Sequence, residues 1–222
     1  MNTAMTQKNI LLFGPQGSGK GTQGERLASR WGVPLIGTGA LLRAEAKQTT
    51  PRGRQVDEEL RTGKLISESI TNEILFDRLR MPDTEQGFIL DGYPRNKTQE
   101  EALRAFLQTL RGGTIITHAI VLELSDAEAV ARLADRRICA MCGNVYHLKN
   151  HPPQKENVCD GCGGALQQRT DDTAEALQKR LAIYHNDTTP LVADYEREEI
   201  VHRVDAHGTI EEVAERIASY FL

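Results

Sequence analysis

The stretch Ile10-Leu-Leu-Phe-Gly14-Pro-Gln-Gly-Ser-Gly-Lys20-Gly-Thr22 decides the fold. An apolar run reads as a buried strand, the glycines at 14, 17, 19 and 21 let the backbone bend sharply, and helix-forming sequence follows. Backbone N–H groups in such a loop turn inward to cradle phosphate. Lys20 adds a mobile cation for β and γ phosphates, and the following helix adds its positive end. The cradle is formed by Gly17, Ser18, Gly19, Lys20, Gly21 and Thr22. A glycine-rich hairpin turn would explain the glycines but not a lysine at this offset between strand and helix. The general pattern puts Ser or Thr directly after the lysine; here Gly21 intervenes and the hydroxyl arrives at Thr22, which narrows the kind of phosphate loop.

Working outward, short apolar runs alternate with longer helical pattern, which predicts an α/β chain with a parallel sheet flanked by helices. Strands are expected at about 8–13, 33–36, 87–91, 115–123 and 199–204. Ser125 with Glu128, and Thr209 with Glu212, have the spacing of a helix capping box. In the last helix Ile210, Val213, Ala214, Ile217, Tyr220 and Phe221 fall on one face, and Trp31 before Gly32 closes the first helix as a packing residue. Two stretches break the alternation. Residues 37–66 are helix-forming but cut by Thr49-Thr50-Pro51 and Gly63; residues 135–172 hold all the cysteines, Pro152-Pro153 and several glycines, with little apolar material for a core. The expected division is a core of 1–36, 67–134 and 173–222 with insertions at 37–66 and 135–172.

A second phosphate-handling phrase is Gly87-Phe-Ile-Leu-Asp91-Gly-Tyr-Pro-Arg95, an apolar strand that ends in an acid, turns, and delivers an arginine. Ligands of open parallel sheets bind beyond the carboxyl ends of the strands, so Asp91 and Arg95 belong on the rim of the Gly14 loop. A carboxylate there can hold Mg²⁺ through its waters, and a guanidinium can grip phosphate oxygens in pairs.

The 222 residues carry a net charge of −4, which gives no global footprint for a nucleic-acid binder and favours small anionic ligands. Met1 to Asn9 is polar, without the apolar core of a secretory signal, and no run approaches a membrane span; the expected compartment is the cytoplasm.

In a reducing compartment two CxxC pairs argue for metal over disulfides. Cys139-Ala-Met-Cys142 and Cys159-Asp-Gly-Cys162, sixteen residues apart, make a tetrathiolate pattern for Zn²⁺ with no open coordination position, hence structural. A redox pair or free thiols are the alternative reading of the same cysteines.

The loop GxxGxGKGT, the phrase DGYPR and the paired cysteines together resemble the adenylate kinase family in its long-lid, zinc-carrying form, and the similarity runs through nearly the whole chain from Lys8. The resemblance implies a P-loop NTPase fold with a five-stranded parallel sheet, an AMP-binding helical insertion at 37–66 and a mobile lid at 135–172. It implies reversible phosphoryl transfer from Mg²⁺-ATP to AMP giving two ADP, by a monomer with no nucleic-acid or membrane partner. By the same resemblance Thr38, Arg43, Lys64, Leu65, Ile66, Gln99 and the turn Gly92, Tyr93, Pro94, Arg95 belong to the AMP site. Arg132 and Arg136 belong to the adenine and phosphates of ATP, with Val145, Tyr146 and Gly208 bordering that nucleotide. Arg169 and Arg180 converge on the transferring group and the AMP phosphate. Lys20, Asp91, Arg95, Arg136, Arg169 and Arg180 are thus the catalytic candidates.

Two positions depart from the family pattern: Gln16 stands where Pro is usual, and Ala40 where Asp is usual, which leaves Asp91 with more of the metal work. A kinase for another nucleoside monophosphate, such as UMP or CMP, would share the phosphate loop and the turn; Thr38, Gln99 and the long cysteine lid favour AMP. A zinc-ribbon nucleic-acid binder would need basic and aromatic residues around the knuckles, but Lys149, Lys155 and Arg169 are mixed with Glu156 and Asp160. The histidines at 118, 147, 151, 185, 202 and 207 show no mutual ligand spacing and are expected on the surface or in packing.

Overall fold

The structure, a computed structural model, describes residues 7–62, 66–168 and 173–221. Its chain order begins with β1 (Lys8–Phe13), α1 (Lys20–Trp31), β2 (Leu35–Gly37), α2 (Thr38–Glu45), α3 (Pro51–Thr62) and α4 (Glu68–Leu79). There follow β3 (Gly87–Asp91), α5 (Lys97–Thr109), β4 (His118–Glu123), α6 (Asp126–Ala134), β5 (Arg136–Cys139), β6 (Val145–His147) and β7 (Leu166–Gln167). The chain then runs through α7 (Ala174–Ile183), one π turn (Tyr184–Thr188), α8 (Thr189–Arg197), β8 (Val201–Asp205) and α9 (Ile210–Ser219).

The five expected strands form one parallel sheet in the order β2-β3-β1-β4-β8. Because both faces are covered, successive side chains of a strand serve two different cores. Ile10, Leu12, Ile89, Ile120 and Leu122 pack with Leu27 of α1 and with Val213 and Ile217 of α9. Leu11, Phe13, Phe88, Leu90 and Val121 pack with Leu75, Leu103, Leu107 and Tyr195 on the opposite face. Each such aliphatic side chain, fully withdrawn from water, stabilises the fold by about 1.5–3 kcal/mol. The fourth strand begins at His118, later than the apolar pattern suggests, since Ile115 is 72% exposed and its carbonyl is used by the Asn9 carboxamide at 2.8 Å.

Helix boundaries follow their caps. Gly32 closes α1 in a left-handed conformation, and Trp31 packs edge-on against Phe221. At Thr209 the capping box with Glu212 is complete. At Ser125 only half of it forms: the Ser125 hydroxyl accepts from the Glu128 N–H, while the Glu128 carboxylate is taken by Arg132 one turn on.

The cysteine-bearing segment makes a separate antiparallel sheet, β6-β5-β7, whose short strands the sequence pattern does not reveal. Its buried cluster is Cys139, Tyr146, Cys159 and Leu166.

Candidate active site

The central strand β1 delivers its loop to the carboxyl rim of the sheet, and the loop is held there by close backbone contact. Gly17 has φ +91°, and a Cβ at that position would lie 2.6 Å from the Ala129 carbonyl of α6, so only glycine lets the loop sit this near α6. Gly19 caps α1 with no side chain, so the first N–H groups of the helix face the loop's hollow. Lys20 folds back over this hollow and donates to the carbonyls of Gly14 at 2.7 Å and Pro15 at 2.8 Å. Burial pushes its ammonium down to about 8; the Asp91 carboxylate works against that shift, and Arg95 and Arg136 reinforce it. One lysine therefore feels charges from β3, the turn after β3, and the start of β5.

Asp91 ends β3, paired in register with Leu12 of β1 and Gly37 of β2. Its carboxylate lies close to the first turn of α1: a Cβ on Gly21 would be 3.7 Å from Oδ2. In the turn that follows, Tyr93 and Pro94 are buried, and the Tyr93 hydroxyl lies 2.7 Å from Asn72 Oδ1 and 3.0 Å from the Gln99 carbonyl. What the turn offers the cleft is its backbone and Arg95. Arg95 is an exposed residue at the carboxyl rim of the sheet, its Nε donating to the Gly92 carbonyl at 2.8 Å. Surrounding protein lowers its pKa, Asp91 opposes that, and the nearby Arg180 adds to it. Arg180 of α7 in turn donates to Gln16 Oε1 of the phosphate loop at 3.1 Å.

A model of the adenylate kinase family matches residues 12–200 of the chain. The chain belongs to the adenylate kinase family. Similar curated proteins include the adenylate kinases of Caldanaerobacter subterraneus subsp. tengcongensis, 39% identical with 96% of each chain covered, and of Trichlorobacter lovleyi, 42% identical with 95% and 98% covered. The adenylate kinase of Pyrococcus abyssi is 42% identical, with 94% of this chain and 93% of its own covered.

The structure distributes the positions expected from the sequence resemblance over several elements. Arg132 donates to the Ala206 carbonyl at 3.0 Å, which puts its guanidinium beside the loop that holds Gly208. Thr38 starts α2 with its hydroxyl 3.5 Å from the Asp91 carbonyl, and Ala40 is exposed in the same first turn. Arg43 is exposed further along α2, and Ile66 is half-buried before α4. Gln99 is buried and its Oε1 accepts from the Arg95 N–H at 2.9 Å, which fixes the carboxamide's orientation. Val145 is exposed, whereas the Tyr146 ring is inside the cysteine-bearing segment, its hydroxyl 3.4 Å from Cys159 Sγ and accepting from the Asp160 N–H at 2.8 Å. Lys64, Leu65 and Arg169 lie outside the described residues.

The four cysteine Sγ atoms lie within 4.8 Å of one another, with 3.4 Å between Cys139 and Cys162 and 3.6 Å between Cys142 and Cys159. Sulfur atoms at Zn–S distances of about 2.3 Å in a tetrahedron are separated by slightly under 4 Å, so the donor set fits such an ion.

Two contacts of the site were not legible in the motifs: the Gln16 carboxamide on Arg180, and the Thr188 hydroxyl on the Arg95 carbonyl at 2.8 Å. Each joins neutral side chains to partners far away in sequence. For Thr188 the one local signal is Pro190, which interrupts the helix beside it.

Proposed function

We propose that this chain catalyses reversible phosphoryl transfer from Mg²⁺-ATP to AMP, giving two ADP. The observation that carries the reading is the convergence on Lys20 of Asp91, Arg95 and Arg136, three charges from separate elements around one glycine-rich loop. Phosphoryl transfer asks a protein for alignment and for positive charge spread over the moving group, and an ionised acceptor phosphate needs no general base.

In this reading Gly17, Ser18, Gly19, Lys20, Gly21 and Thr22 hold the donor phosphates, with Arg136 beside them. Arg132 and the Gly208 loop border the donor adenine, and Val145 with the main chain of Tyr146 closes over it. Arg43 and Arg95 grip the acceptor phosphate. Thr38, Lys64, Leu65, Ile66 and Gln99 frame the acceptor adenine; with Gln99 Oε1 turned to Arg95, its amide NH₂ faces a ring nitrogen. Arg169 and Arg180 stabilise the transferring group. Asp91 would hold Mg²⁺ through its waters, and the ion supplies charge neutralisation between the phosphates.

Residues 37–66 act as the acceptor-binding insertion and 135–172 as a lid whose closure excludes water. Cys139, Cys142, Cys159 and Cys162 would hold a structural zinc ion that stabilises this small segment. A monomer working in the cytoplasm is part of the same reading; among the described residues no helix is long and apolar enough to cross a membrane.

The test is a coupled assay of ADP formation from Mg²⁺-ATP with AMP, UMP, CMP or no acceptor, beside Lys20→Ala. AMP-dependent turnover that the variant loses is the expected result. Preference for UMP or CMP would overturn the acceptor assignment through Thr38 and Gln99, and acceptor-independent ADP release would overturn the kinase reading.

A further inference from the structure

We infer that Thr188 is a positioning residue for Arg95, fixing the turn that carries this arginine to the helix that carries Arg180. The inference rests on the reading of Arg95 and Arg180 as the pair that meets the acceptor phosphate.

Local sequence puts Thr188 in this role. Pro190 has no N–H to give the Asn186 carbonyl, so the α-helical ladder fails where α7 should run into α8. The chain responds with one π turn, closed by the Thr189 N–H on the Tyr184 carbonyl. The extra residue in this turn rotates Thr188 inward, where it is 7% exposed and its hydroxyl donates 2.8 Å to the Arg95 carbonyl.

Arg95 is then held at three points. Its N–H donates to Gln99 Oε1 at 2.9 Å, its Nε donates to the Gly92 carbonyl at 2.8 Å, and its carbonyl accepts from Thr188. The first two bonds join residues four and three positions apart and set the shape of the turn. The third comes from a residue 93 positions away and sets where the turn lies relative to α7. That relation matters because Arg95 and Arg180 are like charges near enough for Arg180 to disfavour the charged form of Arg95, so their spacing depends on how the turn is fixed to the helix. A single hydrogen bond from a buried, β-branched hydroxyl on the same helical run as Arg180, eight residues on, supplies that hold.

The experiment compares wild type, Thr188→Val, Thr188→Ala, Thr188→Ser and Arg95→Ala, and the double variant Thr188→Val/Arg95→Ala, in steady-state kinetics with ATP and AMP varied separately. Valine keeps the shape and removes the donor. The expected result is a roughly fivefold to tenfold loss of kcat/KM for AMP, a change in KM for ATP under about twofold, and recovery in Thr188→Ser, the scale of one lost hydrogen bond. In the Arg95→Ala background the loss caused by Thr188→Val should disappear. Equal losses toward ATP and AMP, or the same loss with Arg95 absent, would overturn the proposal and leave Thr188 as a packing residue. If Thr188→Val does not fold, Thr188→Ala and Thr188→Ser are held to the same criteria. Failure of the wild type to use AMP at all, or full activity in Arg95→Ala, would instead overturn the reading on which the inference rests.

Discussion

The Gln16 carboxamide oxygen accepts a hydrogen bond from the Arg180 guanidinium at 3.1 Å, tying the phosphate loop to α7. Proline, the residue that the sequence resemblance leads one to expect at this position, has no side-chain acceptor. Gln16→Ala and Gln16→Pro should each lower kcat about fivefold at saturating ATP and AMP, on the scale of one hydrogen bond to a charged group. Steady-state rates with both substrates saturating provide the check, and unchanged kcat in both variants would rule the tie out as a catalytic contribution.

Lys20 should take up a proton when ATP binds. Burial in the loop pushes its pKa down to about 8, so about half of the molecules carry a neutral amine at pH 8 and about a tenth at pH 7. Phosphate favours the charged form and drives uptake of about 0.5 proton at pH 8, falling below about 0.1 at pH 7. Titration calorimetry in buffers of different ionisation enthalpy measures this, and Lys20→Arg should abolish it.

The imidazoles of His118 and His202 face each other at 3.0 Å on β4 and β8, beneath Phe221, with Lys8 close by. Burial, then His202, then Lys8 push His118 down to about 4, and burial lowers His202 too. Both folded values lie below the unfolded value of about 6.5, so the unfolded chain binds more protons in this window. The stabilisation is complete above about pH 6.5 and is lost as pH falls toward 4. Thermal melts from pH 7.5 to 4.5 should show a steeper decline in wild type than in His118→Phe; parallel curves would exclude the pair as the source.

Each chain should hold one zinc ion, seen by native mass spectrometry, and strong chelation should lower the melting temperature. Among the described residues, the segment that would lose its ion has only Tyr146 and Leu166 beside the buried cysteines Cys139 and Cys159 as a core. The stripped enzyme should lose transfer to AMP by tenfold or more and gain ATP hydrolysis relative to transfer. A metal-free protein with unaltered melting and kinetics would remove zinc from the account.

Core strands were legible because burial on two faces demands unbroken apolar runs, as in Ile10 to Phe13 and Phe88 to Leu90. The edge of β4 was less so, because Ile115 is apolar yet exposed. The strands β5, β6 and β7 carry no such pattern: Arg136-Arg137-Ile138 is half-buried and sets one apolar residue beside two charged ones, and the sheet is organised around sulfur atoms and Tyr146. In the site, Lys20, Asp91 and Arg95 stand in local motifs and could be read directly. The bonds of Gln16 and Thr188 join residues 164 and 93 positions apart, and composition or spacing carries no trace of such partners.

The strand that enters the cysteine-bearing segment is also the middle strand of its sheet, pairing directly with the strand that leaves: Ile138 stands opposite Gln167, and Cys139 opposite Leu166. The segment is therefore a cassette with touching ends, plugged into the chain between α6 and α7. A foreign domain whose own termini sit side by side could stand between Ile138 and Gln167 without stretching the parallel sheet, although it would replace the cysteines together with Val145 and Tyr146.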